Sequence, residues 1–109
     1  MERKVNIVQD DGCRDLYWFE CPDPEDASRP NIRMPDHHMV LMVLLAYAPA
    51  EVVFPHVFNG GLPDPEIIKG ELYLNLRDGT KKIKVNDDQL HAVIKRDIKL
   101  AREGANLSN

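Results

Sequence analysis

Cysteine is scarce in this chain: Cys13 and Cys21 are the only two among 109 residues. That excludes a scaffold stapled by several disulfides and leaves free thiols in a reducing compartment as the expectation. Long apolar stretches are missing as well. The longest run, Met39 to Ala48, has ten residues, about half of what a helix needs to cross a bilayer. No apolar segment of signal-peptide length follows Met1-Glu2-Arg3-Lys4. A cytoplasmic protein without a membrane partner is therefore expected. Basic residues are outnumbered, 14 Lys and Arg against 18 Asp and Glu, for a net charge of −4. Such a balance argues against a dedicated nucleic-acid binder. The chain also lacks a Gly-rich phosphate loop, since Gly60-Gly61 has neither the spacing nor the lysine.

What is present is ordinary globular composition, 43% hydrophobic and 29% charged, in a length that suits one domain over 1–109. Residues 70–104 carry the strongest local signals. Leu72, Leu74 and Leu76 alternate with polar neighbours, the period of a strand with one buried face. Asp78-Gly79 supplies the positive φ angles of a two-residue hairpin turn. The turn sets a register: Leu74 faces Ile83 and Leu72 faces Val85 on one side, with Tyr73 against Lys84 and Asn75 against Lys82 on the other. A slip of one residue would mix the faces.

A helix follows. Asn86 and Gln89 have the spacing of a capping box. Asp87 and Asp88 suit the positive end of the helix dipole, and Lys99 and Arg102 the negative end. Leu90, Val93, Ile94, Ile98 and Ala101 form an apolar stripe at helical spacing. Gly104 is read as the stop, with a frayed tail over 105–109.

Toward the N-terminus, Val5 and Ile7, the dipeptide Asp11-Gly12 and Leu16-Tyr17-Trp18-Phe19 read as a second hairpin. A two-residue loop at Asp11-Gly12 places Ile7 opposite Leu16 and Val5 opposite Trp18, and puts Tyr17 and Phe19 on the outer face. Proline clusters mark loops at 22–35 and 49–66. The second loop reads as a packed flap, with Val52, Val53, Phe54, Val57 and Phe58. Between the loops, Met39 to Ala48 is apolar on every side. Leu, Met and Ala favour a buried helix, though a buried strand reads much the same. The expected fold is α+β: a four-stranded, mainly antiparallel sheet in strand–strand–helix–strand–strand–helix order, both helices on one face.

Chemistry finds little purchase. Cys13, Cys21, His37 and His38 lack the close pairing of zinc ligands. On one strand, Cys13 and Cys21 would lie about 26 Å apart. No metal or cofactor is expected, and no catalytic residue is assigned. Asp36 reads as a helix cap. Neither Ser28 nor Ser108 has the setting of a nucleophile.

Charge divides unevenly: residues 1–68 hold 5 basic and 12 acidic side chains, residues 69–109 hold 9 and 6. The leading expectation is a small, non-enzymatic protein-interaction module that self-associates. The alternative is an accessory nucleic-acid binder using the basic hairpin 69–85 and helix 87–103. A variant makes the acidic stretch Asp10 to Asp26 a phosphate mimic that inhibits a nucleic-acid-binding protein. Candidate interaction residues are Tyr17, Phe19, Tyr73, Lys82 and Lys84 on an outer sheet face, with Lys95, Lys99 and Arg102 along the last helix.

Overall fold

The computed structural model describes residues 3–47, 63–75 and 82–107. Its elements follow the order βββαβββα: β1 (Asn6–Gln9), β2 (Tyr17–Cys21), β3 (Ile32–Pro35), α1 (Asp36–Tyr47), β4 (Asp64–Ile68), β5 (Glu71–Asn75), β6 (Lys82–Val85) and α2 (Asp87–Leu107). The strands form two separate three-stranded antiparallel sheets, ordered β1-β2-β3 and β4-β5-β6. The expected single four-stranded sheet is therefore incorrect. Each half adds a third strand, drawn from a stretch that its prolines mark as loop. Pro35 closes β3 and Pro65 lies within β4. Both strands are outermost, where a missing N–H can be tolerated and stops further pairing.

The second hairpin has the register its pattern predicts: Leu72 opposite Val85, Tyr73 opposite Lys84, Leu74 opposite Ile83, Asn75 opposite Lys82. Leu72, Leu74 and Val85 are buried, while Ile83, on the outermost strand, keeps 44% of its surface exposed. The Asp78-Gly79 turn lies outside the described residues, as do Leu76, Ala48 and the part of the expected flap up to Leu62. A turn that sequence reading passes over joins β4 to β5. Ile68 pairs with Glu71 across Lys69-Gly70, whose φ angles are +51° and +77°. Two positive φ values are what a type I′ turn requires.

The first hairpin departs from its expected register. Ile7 faces Phe19, Val8 faces Trp18 and Gln9 faces Tyr17. An odd shift exchanges the faces, so Phe19 turns into the core and Trp18 outward. The cause is Asp10, which holds a wider loop. Its Oδ2 accepts the Gly12 amide at 2.9 Å, its Oδ1 accepts the Trp18 indole N–H at 2.8 Å, and its own amide donates to the Leu16 carbonyl at 2.8 Å. Asp-Gly here serves a side-chain-capped turn, not a two-residue hairpin loop. Cys13 consequently sits in the loop and only Cys21 on a strand.

One core joins both sheets and both helices. Phe19, Cys21 and Met34 come from the first sheet and Leu72, Leu74 and Val85 from the second region; α1 gives Met39, Val40, Val43 and Leu44, and α2 gives Leu90, Val93, Ile94 and Ile98. Each such side chain contributes about 1.5–3 kcal/mol by leaving water. Met39 onward is helical, as its composition favours. The capping box forms in full: Asn86 Oδ1 accepts the Gln89 amide at 2.8 Å, and Gln89 Oε1 accepts the Asn86 amide at 3.0 Å. Gly104 does not stop α2, which continues to Leu107. A helical glycine costs about 1 kcal/mol relative to alanine, and no proline follows to end the helix.

Candidate functional site

The predicted interaction residues do not assemble on one surface. Phe19 has no exposed area and belongs to the core. Tyr17, half-buried at the start of β2, donates its amide to Asp36 Oδ2 at 3.1 Å. Asp36 thus braces β2 in addition to opening α1. Tyr73 lies on the other sheet, between Glu66 and Lys84 in the ladder.

The lysines of that second sheet are engaged. Lys82 Nζ meets Glu66 Oε2 at 2.8 Å and Lys84 Nζ meets Glu71 Oε2 at 2.6 Å. Lys82, and then Asn75 donating at 3.1 Å, hold the Glu66 carboxyl below its usual range. Glu71 in turn raises Lys84. Such half-exposed, solvent-screened pairs stabilise little, yet they leave the face with mixed sign.

On α2, Lys95 and Lys99 are exposed. Arg102 is committed elsewhere. Its Nη2 donates to Asp23 Oδ2 at 2.6 Å, and Nη1 reaches Asp23 Oδ1 at 3.3 Å and Glu25 Oε2 at 2.7 Å. The Asp23 side chain is 1% exposed. The guanidinium, with the Glu25 amide donating at 3.0 Å, lowers its carboxyl to about 2. Asp23 and Glu25 likewise push Arg102 upward. This bidentate contact fastens a strap, Pro22 to Glu25, against α2. The sequence places Arg102 in a basic stripe along the last helix, because no local pattern announces a partner 79 positions away.

A second fastening joins the chain's opening to the second half. Asp87 accepts the backbone amides of Lys4 at 2.7 Å and Val5 at 2.9 Å. Burial pushes the Asp87 carboxyl up, and these two bonds together with nearby Arg3 and Lys4 outweigh it, so it titrates below its usual value. Lys4 Nζ meets Asp88 at 2.8 Å, and the Arg3 guanidinium donates to the Gly70 carbonyl. Between the helices, His38 Nε2 lies 3.3 Å from Asp97 Oδ2. Several basic and acidic groups of the unevenly charged halves are therefore spent on each other.

Among the described residues, α1 carries an outward apolar surface. Its inward side holds Met39, Val40, Val43 and Leu44. Leu41 and Met42 are half-buried, Leu45 is 41% exposed and Tyr47 51% exposed. From Met39 to Tyr47 the helix has no charged residue. Leu41 and Leu45, four apart, make an outward apolar stripe. The sequence signal was present, since a helix apolar on all sides cannot turn a polar face to solvent. The outer face of the first sheet is better managed: Arg33 stacks 4.3 Å from the Trp18 ring centre while its Nε pairs with Glu20 at 2.8 Å.

Among the described residues, no group of three or more His, Cys, Asp or Glu could hold a metal ion. Cys13 is exposed and Cys21 buried, and burial raises the Cys21 thiol. In comparison with known proteins, no family model matches the chain, and no curated protein or solved structure matches it significantly.

Proposed function

We propose that this chain is a small, non-enzymatic protein-interaction module that associates with itself through the outward stripe of α1. The observation that carries the reading is Leu45, 41% exposed on a helix with no charged residue from Met39 to Tyr47. An apolar stripe in water is a standing cost that contact with another apolar surface removes. Sedimentation velocity over a micromolar concentration series tests it. Association that rises with concentration and is lost in Leu45→Lys supports the reading; a strict monomer overturns it.

Nucleic-acid binding through 69–85 and helix 87–103 draws less support. Lys82, Lys84 and Arg102 each sit on a carboxylate. The phosphate-mimic variant loses one charge in the same way, since Asp23 is buried against Arg102, whereas Asp10 and Asp26 accept hydrogen bonds from neutral donors and keep theirs.

A further inference from the structure

A cleft of about 350 Å3 lies where the strap Pro22–Pro24 passes α2, a size in the range of small-ligand sites. Arg3, Lys4, His91 and Lys95 line it. Of its acidic neighbours, Asp23 has both oxygens turned to Arg102, and Asp87 has its oxygens on the amides of Lys4 and Val5. Two counterions face the cleft's cations: Asp87 also lies 3.8 Å from Arg3 Nε, and Asp88, 79% exposed, holds Lys4, itself 56% exposed, an arrangement that water competes for. Lys95 makes no ion pair with a described residue. Lys95 and Lys99 lie four positions apart on α2, and like charges at that spacing repel.

We propose that this cleft binds a small, doubly charged oxyanion of the phosphate class. Lys95 and Lys4 would supply ammonium donors, and the Arg3 guanidinium, which gives one Nη1 N–H to Gly70 and lies 3.8 Å from Asp87 through Nε, retains its remaining Nη donors for the ion. The strap's proline wall is held in place by the Arg102–Asp23 contact, so receiving the ion requires only that Lys4 turn from Asp88. This site is separate from the α1 stripe and stands or falls independently of self-association.

The experiment is a titration of the full chain with inorganic phosphate, followed by amide chemical shifts, with chloride at matched ionic strength as control. Saturable shifts confined to residues around Arg3, Lys4, His91 and Lys95 are expected. Lys95→Glu should weaken the fitted affinity about tenfold or more, and Asp88→Asn should strengthen it by removing the competing counterion. Equal shifts with chloride, no saturation, or unchanged affinity in both variants would overturn the proposal. Both positions are exposed, and the amide spectrum of each variant reports directly that the fold is kept.

Discussion

Arg102 and Asp23 face each other through two nitrogen–oxygen contacts, 2.6 and 3.3 Å, across 79 positions of sequence. The arginine side chain is 32% exposed and the aspartate 1%, so the two partners are not equivalent. Removing the arginine strands a buried carboxylate; removing the aspartate leaves an arginine that still reaches Glu25 and water. Arg102→Met is therefore expected to lower the thermal midpoint by on the order of 10 °C, and Asp23→Asn by less. Differential scanning calorimetry orders the two, and the reverse order would refute the assigned asymmetry.

Acid sensitivity follows from the same contact. The Asp23 carboxyl is depressed from 3.8 to about 2 by Arg102. A depressed acid stabilises the folded state fully above its unfolded value and loses that contribution as pH falls toward its folded value. The stability gap between the native chain and Arg102→Met should be widest above about pH 4 and narrow steadily toward pH 2. Urea midpoints across that range measure it.

Face assignment in the first hairpin separates two adjacent aromatics. Phe19 is fully buried, while Trp18 is half-buried beneath Arg33. Phe19→Ala should cost about 3–5 kcal/mol and Trp18→Ala clearly less, by urea unfolding. Equal costs would restore the register in which Trp18 points inward.

Backbone strain at the β4–β5 turn gives an opposite pair of effects. Lys69 holds φ +51° and Gly70 φ +77°. Lys69→Gly should stabilise by about 0.5–1 kcal/mol, and Gly70→Ala should destabilise by about 1 kcal/mol or more. An added Cβ at Gly70 would meet only the Arg3 guanidinium at 3.8 Å, so conformation and not crowding sets the loss.

Capping is the simplest case. Asn86→Ala removes the acceptor for the Gln89 amide and should cost about 1 kcal/mol, read as a lower urea midpoint with an unchanged slope.

What could be read from the sequence was local and redundant. Leu72, Leu74, Ile83 and Val85 alternate in step, and that agreement determined a register the structure keeps. Asn86 and Gln89 needed only each other. Reading failed where a short motif serves two geometries. Asp11-Gly12 favours a tight hairpin, but the neighbouring Asp10 finds Trp18 and Gly12 and opens the loop. It failed again at Ile32–Pro35 and Asp64–Ile68, because proline signals loop unless the strand is outermost. At the candidate surfaces, residue type announced the positive charge of Lys82, Lys84 and Arg102. Which carboxylate each would meet depended on strand pairing and on contacts spanning most of the chain.

The seating of the Lys4 and Val5 amides on Asp87 has a consequence for biosynthesis. A nascent polypeptide emerges from the ribosome in order, and until Asp87 is translated those early amides have no carboxylate to receive them. Closing so large a loop carries an entropic toll, so the opening segment locks late, after the second half has been made.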